Sequence, residues 1–219
     1  MSFESLGLDA SILKAVADQG YTEPTPIQKA SIPVIISGKD VIGVAQTGTG
    51  KTAAFTLPLL TKLVQSKNST HQGRVRCLIL APTRELVVQI AENVAAYSRY
   101  SGATVATCYG GVSERPQIAA LRRGCDFLIA TPGRLLDLGG QGHGDFSAVE
   151  YLVLDEADRM LDMGFLPAIN TIVRALPKER QTLMFSATLS REIETLTKQY
   201  QRSPALIEVG RRSNPAETV

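Results

Sequence analysis

The sequence predicts an α/β domain in which a mostly parallel β-sheet carries helices on both faces. Three observations lead there. Short runs that are apolar at successive positions, and so buried on both faces, alternate along the chain with segments of helical period. A glycine-rich turn, Ala45-Gln46-Thr47-Gly48-Thr49-Gly50-Lys51-Thr52, stands between one such run and a helix start. Polar clusters follow several other runs, where an open parallel sheet gathers its ligands.

Each element has a local reason. Residues 9–19 predict a helix, with Asp9 as cap, Ile12, Leu13, Val16 and Ala17 on one face, and Gly20 as terminator. Pro24 and Pro26 fix a rigid bend, and a second helix starts at Pro26, where a missing N–H costs nothing. The run Val41–Ala45 is the first strand, and a helix follows the glycine turn to about Gln65. Ser66 to Gly73 is polar and predicts a surface loop. Further strands are expected at Val75–Ala81, Thr104–Cys108, Phe127–Ala130, Tyr151–Leu154, Thr182–Phe185 and Leu206–Val209. Helical period is clearest in Leu86, Ile90, Val94 and Tyr97, and again in Phe165, Ile169, Ile172 and Leu176. Gly210 to Pro215 turns polar and breaker-rich, like the start of a linker.

Composition narrows the function classes. With 219 residues, 44% of them hydrophobic and 20% charged, the chain can bury one substantial core. A net charge of +2 is too small to announce a nucleic-acid binder, so any such claim must rest on local sites. Of the three cysteines, Cys77 and Cys125 lie in or beside apolar runs and predict buried thiols rather than bridges or ligands. The two histidines, His71 and His143, lie in Gly/Gln-rich loops and argue against a histidine metal site. Met1-Ser2-Phe3-Glu4 lacks the basic and apolar regions of a leader, and no stretch is long enough to span a bilayer, so a reduced, cytoplasmic setting is the expectation.

The glycine turn is where chemistry first becomes specific. A strand, a Gly-rich turn and a helix N-terminus converge backbone N–H groups and dipole charge on one point, an anion site. Gly48 and Gly50 remove the Cβ atoms that would hold phosphate oxygens away. Lys51 can reach the β- and γ-phosphates of a nucleotide, and the Thr52 hydroxyl can ligate Mg²⁺. Ala45 departs from the glycine of the strict phosphate-loop pattern. Downstream, Asp155-Glu156-Ala157-Asp158 closes the strand Tyr151–Leu154 with acid. Asp155 can hold Mg²⁺ opposite Thr52, directly or through water, and Glu156 can orient or deprotonate an attacking water.

With these residues in order, the motif set (Tyr21 through Gln28, Ala45 through Thr52, Pro82 through Leu86, Gly110-Gly111, Thr131 through Arg134, Asp155 through Asp158, Ser186 through Thr188) resembles the first RecA-like domain of a DEAD-box RNA helicase. Among these it is most similar to the bacterial RhlE-type proteins, from Met1 to about Val209, and Ala45 is the family's own pattern. The resemblance implies a RecA-like P-loop fold, ATP or ADP with Mg²⁺ as cofactors, and RNA as partner. It implies that Tyr21, Gln28 and the backbone at Glu23 read adenine with Phe3 close by, and that Gln46, Thr47, Gly48, Thr49, Gly50, Lys51 and Thr52 hold the phosphates. It makes Lys51, Asp155 and Glu156 catalytic. It gives Pro82, Thr83, Arg84, Gly110, Gly111, Thr131, Pro132, Gly133 and Arg134 to RNA, where arginines, hydroxyls and backbone N–H groups suit phosphate and sugar rather than base edges. It makes Asp158, Ser186 and Thr188 a bridge between the two ligands. Taken singly, each arginine could equally be a surface ion pair, and Tyr21 and Gln28 ordinary packing and helix-start residues.

The resemblance also divides the chain: residues 1–209 form the ATP-binding domain, 210–219 begin an interdomain linker, and the family's second RecA-like domain, with the arginines that complete the ATP site, is expected outside these 219 residues. The expected activity is RNA-dependent ATP hydrolysis that unwinds short duplexes, with this part alone binding nucleotide but nearly inactive. Two other readings remain open at this stage, a DNA-directed translocase of the same superfamily and a non-catalytic ATP-gated RNA clamp.

Overall fold

The computed structural model describes residues 1–66 and 73–210. The expected loop centred on residues 67–72 and the linker from residue 211 onward lie outside the described residues. A short 3-10 turn, Phe3–Leu6, precedes α1 (Ala10–Asp18), α2 (Pro26–Ile36), β1 (Val41–Val44), α3 (Lys51–Gln65), β2 (Val75–Leu80) and α4 (Arg84–Tyr97). The chain continues with β3 (Val105–Cys108), α5 (Arg115–Arg123), β4 (Cys125–Ala130), α6 (Pro132–Gly140) and β5 (Tyr151–Leu154). It ends with α7 (Ala157–Asp162), α8 (Leu166–Ala175), β6 (Gln181–Ser186), α9 (Arg191–Tyr200) and β7 (Ala205–Glu208).

The seven strands form one sheet in the order β3-β4-β2-β5-β6-β1-β7. Every pairing is parallel. Alternation along a strand sends successive side chains to opposite faces, and both faces are apolar. Cys77 and Ile79 of β2 enter one core with α1, α2, α3 and α4. Leu78 and Leu80 enter the other, with α5 through α9. The sheet is thus covered on both sides, as a RecA-like P-loop domain requires.

Two elements depart from the sequence expectation. β4 begins at Cys125 rather than Phe127, because Asp126 is a ladder residue: its carboxylate accepts from the Thr104 N–H at 2.8 Å and pairs with Arg76 at 3.5 Å. α5 was not foreseen, since Ile118 and Leu121 are its only large apolar residues, too few to set a period.

What positions the site is the register at the carboxyl ends. Cys108 pairs with Ala130, Ala130 with Leu80, Leu80 with Leu154, and Leu154 with Met184. Val44 pairs with Ser186 on the other side. The residues that leave these strands therefore emerge along one rim: the glycine turn, Ala81-Pro82-Thr83-Arg84, Tyr109-Gly110-Gly111, Thr131-Pro132, Asp155-Glu156 and Ala187-Thr188.

Candidate nucleotide and nucleic-acid site

At the β1–α3 junction Gly48 and Gly50 both take left-handed backbone, with φ of +80° and +88°. Gly50 is the N-cap of α3, so the helix begins at Lys51. A cavity of about 230 Å³ opens there. Thr47, Gly48, Gly50, Lys51 and Thr52 line one side; Tyr21 and Gln28 line another, and Asp155 and Glu156 a third. Lys51 is only 8% exposed, and among the described residues no hydrogen bond or ion pair holds its ammonium. Asp155, 3% exposed, is its charge neighbour. Burial pushes the Asp155 carboxyl up to about 6; Lys51 opposes that rise, while Glu156 and Asp158 add to it. Asp155 accepts one hydrogen bond, from the Glu156 N–H at 2.9 Å, and an anion against Lys51 or a cation against Asp155 would relieve the remaining cost of burying these groups. These donors therefore fit a phosphate and a hard divalent cation.

The other expected contacts divide. Gln28 is buried, and its amide is already engaged: Oε1 accepts from the Thr25 N–H at 2.9 Å, and Nε2 donates to the Gly50 carbonyl at 3.1 Å. It ties the start of α2 to the glycine turn, leaving one amide hydrogen and one lone pair for a ligand. Tyr21, 40% exposed, shares a 3.1 Å hydroxyl–hydroxyl hydrogen bond with Tyr97. Phe3 does not line the cavity; it is buried with its ring stacked on Tyr21 at 6.5 Å, so it backs the tyrosine. Glu23 is exposed and is not on the cavity wall. Thr49 turns inward to donate to the Gln46 carbonyl at 2.7 Å. Gln46 lines a separate cavity of about 400 Å³ with Thr188 and Ser190.

Along the rest of the rim, Thr83 caps α4 by accepting from the Leu86 N–H at 3.3 Å, which starts the helix at Arg84. Arg84 makes no ion pair among the described residues; its guanidinium lies over the Tyr109 ring at 5.3 Å. Arg134 donates to the Val112 carbonyl at 3.3 Å, spanning the gap between α6 and the Gly110-Gly111 turn. Gly110, Gly111 and Gly133 are exposed, and Pro132 is buried at the start of α6 beside Thr131. The Thr188 hydroxyl donates to Asp158 Oδ2 at 3.2 Å, and the Thr188 N–H donates to Ser186 Oγ at 3.4 Å, so Ser186 touches the acidic turn only through Thr188.

Several residues of the site were not anticipated. Gln89 and Asn93 line the nucleotide-sized cavity from α4; their four-residue spacing puts both on one helix face, a signal the sequence does carry. Tyr109 under Arg84, and Arg159 paired with Glu156 at 3.2 Å, carry no sequence signal of their own.

The sequence profile of the DEAD/DEAH box helicase family matches residues 25–196, which include the glycine turn, the acidic turn and most of the rim. The chain belongs to this family. An ATP-dependent RNA helicase RhlB of Pseudomonas aeruginosa is 46% identical over 222 residues, covering 99% of this chain and 56% of the relative. DEAD-box ATP-dependent RNA helicase 30 of Arabidopsis thaliana is 48% identical over 209 residues, 95% of this chain and 35% of the relative. The crystal structure of a DEAD box protein from the hyperthermophile Methanococcus jannaschii superposes with a TM-score of 0.89 at 36% identity, covering 96% of this chain and 56% of that one. The DEAD-box resemblance and the RecA-like fold are thereby established; the bacterial name among these relatives is RhlB rather than RhlE. The chain spans about half the length of the Pseudomonas relative, 56%. Among the described residues no helix is long and apolar enough to cross a membrane.

Proposed function

We propose that this chain is the nucleotide-holding part of an RNA-dependent ATPase that remodels short RNA duplexes. The observation that carries the reading is the unpartnered, buried Lys51 ammonium beside buried Asp155, at a helix N-terminus that opens on a cavity of about 230 Å³. Backbone N–H groups of residues 48–52 and Lys51 would bind the phosphate chain. The Thr52 hydroxyl and the Asp155 carboxylate would hold Mg²⁺, which when bound neutralises phosphate charge. Glu156, next along the turn, is placed to take the proton of an attacking water. Tyr21 offers the base a half-exposed ring steadied by Phe3 and Tyr97, and the free hydrogen and lone pair of Gln28 offer an adenine edge its complement.

Arg84, Arg134, the Gly110-Gly111 turn and the start of α6 form the RNA-facing part of the rim, contacting phosphate and sugar and leaving sequence unread. The Thr188–Asp158 hydrogen bond would link that grip to the nucleotide's state. A second RecA-like domain would supply the opposite wall of both sites, as the family's pattern implies, and the 219 residues alone would bind nucleotide yet hydrolyse it slowly.

Calorimetric titration with Mg-ADP and Mg-GDP tests this. Binding of ADP in preference to GDP supports the reading; equal binding of both would leave the phosphate site and remove adenine recognition. Because Gln28 also braces Gly50, Gln28→Ala should weaken ADP more than it weakens pyrophosphate. An equal loss for both would mean that Gln28 acts only through the glycine turn.

A further inference from the structure

At the amino end of β6, the end of the sheet away from the rim, the last turn of α8, the Pro177–Arg180 loop and the last turn of α9 enclose a cavity of about 410 Å³. Its charged lining is entirely cationic: Arg174, Lys178 and Arg180. Asn170, Gln199 and Tyr200 add neutral hydrogen-bonding groups, and Val173 and Leu176 form an apolar floor. The nearby carboxylates are occupied elsewhere. Glu179 is held by both Arg202 guanidinium nitrogens at 3.1 and 3.0 Å. Asp40 accepts from the backbone N–H groups of Thr182 at 2.9 Å and Arg202 at 2.7 Å.

The cations are arranged rather than merely crowded. Arg180 is half-buried and fixed, Nε donating to Thr182 Oγ1 at 3.1 Å and Nη1 to the Pro177 carbonyl at 2.8 Å, so its outer nitrogen is held in place without a protein acceptor. Tyr200 donates to the Asn170 side-chain oxygen, which leaves the Asn170 amide hydrogens for another acceptor. Arg174 and Lys178 are exposed and make no ion pair among the described residues. Three cations lining one opening, with Asp40 behind Arg180 as the carboxylate that acts on it, favour an anion, and a guanidinium nitrogen held in place beside amide donors suits phosphate oxygens.

We propose that this cavity is a second RNA contact, taking the phosphodiester backbone of a strand that has left the rim; the inference rests on the RNA reading of that rim. α8 connects the two places. Phe165, immediately before it, lies beside Gly133, its ring 3.9 Å from where a Cβ there would stand, and the cavity sits at the helix's other end. Ten residues of helix span about 15 Å. That distance lies within the reach of a single strand, whose sites on a binding domain cover about 4–16 nucleotides. Backbone phosphate is chosen over an acidic peptide because the amide and phenol groups around the arginines are those that contact phosphate and sugar, and because the rim read above as RNA-facing stands at the near end of α8.

Fluorescence anisotropy of the 219-residue chain with labelled oligouridylates of about 6 and about 20 nucleotides tests this across a salt series. The variants are Arg174→Gln/Lys178→Gln, exposed residues whose loss should leave the thermal transition unchanged, and Arg84→Gln/Arg134→Gln on the rim. The first is expected to lower long-strand affinity on the order of tenfold at about 0.1 M salt, to reduce the slope of log K against log salt by about 1.4, and to leave the short strand unaffected. Equal slopes for parent and first variant on the long strand would overturn the proposal, even if inorganic phosphate still protected the parent against heat. So would equal losses on short and long strands. Loss of long-strand affinity in the first variant but not in the second would keep the cavity as an RNA contact and refute the rim as the primary one.

Discussion

Gly50→Ala probes how the glycine turn is built. Gly50 stands at φ +88°, and a Cβ there would lie 2.5 Å from Gln28 Nε2 and 2.9 Å from Thr25 Oγ1. Left-handed backbone costs a residue with a Cβ about 1–2 kcal/mol. The contact adds a second cost: the Gln28 amide must swing away, breaking its bond to the Gly50 carbonyl and straining its bond to the Thr25 N–H, each worth about 1 kcal/mol. The expected destabilisation is about 2–4 kcal/mol, or roughly 5–15 °C in the unfolding midpoint for a chain of this size. Gly48 supplies the control. It has φ +80°, but nothing lies within 4 Å of its Cβ position, so Gly48→Ala should cost only the conformational term, about 1–2 kcal/mol. Urea unfolding of the ligand-free chain measures both. In a Gln28→Ala background the Gly50→Ala cost should fall by about 1–2 kcal/mol but stay above that of Gly48→Ala, because Thr25 Oγ1 still stands 2.9 Å from the Cβ position. Equal costs for the two glycines, or no coupling to Gln28, would refute the argument that the helix cap braces the phosphate loop.

Three further outcomes follow from the geometry. Arg76, whose side chain is 6% exposed, pairs with Asp126 at 3.5 Å and Glu150 at 2.9 Å, so Arg76→Met takes the guanidinium from the buried Asp126 carboxylate, which keeps its Thr104 hydrogen bonds, and should cost about 1–3 kcal/mol in denaturant unfolding. Asp155 holds its proton in the folded, ligand-free state up to pH about 6, whereas an unperturbed aspartate loses it near 3.8; stability therefore falls by about 3 kcal/mol as pH rises through that interval and is flat above it, and Asp155→Asn should remove the slope in a pH series of unfolding midpoints. Tyr109→Leu should weaken RNA binding about two- to fivefold by anisotropy in the parent but not in an Arg84→Gln background, because the ring acts by holding the guanidinium.

The strands were legible because burial on both faces writes an unbroken apolar run, and the glycine turn because glycine takes two left-handed positions, at 48 and 50, without strain. Legibility failed where a side chain serves two masters. Arg76 and Asp126 lie inside strands and pair across the β2–β4 ladder, so polarity that reads as a strand end is a cross-strand ion pair. Gln28 reads as a ligand contact or a first-turn residue, and nothing in the sequence adds that it also braces α2 against Gly50. Tyr109 continues the chain from β3, and nothing in its neighbours announces that Arg84, far away in sequence, will lie on its ring. Such relations come from the strand order, which places β3, β4 and β2 side by side although other elements separate them in the chain.

Glu156 shows the same logic in backbone conformation. It takes φ 49° and ψ 51°, left-handed backbone in a residue with a Cβ, as the N-cap of α7. Its N–H donates to Asp155 Oδ1 at 2.9 Å, and its carboxylate pairs with Arg159 at 3.2 Å, but Arg159 is 56% exposed, so that pair contributes about 0–1 kcal/mol. Against a strain of about 1–2 kcal/mol, the Asp155 hydrogen bond returns about 1 kcal/mol and the ion pair little, so the turn between β5 and α7 keeps Glu156 left-handed with little or no net local gain. If the strain serves chemistry rather than folding, Glu156→Gly should be more stable than Glu156→Ala by about 1 kcal/mol, since both lose the carboxylate but only glycine relieves the backbone. On the reading proposed above, both should lose nucleotide hydrolysis and neither should lose nucleotide binding. Alanine equal to or better than glycine in urea unfolding would show that the turn is not strained at Glu156, and the case for a carboxylate held there at the expense of stability would fail with it.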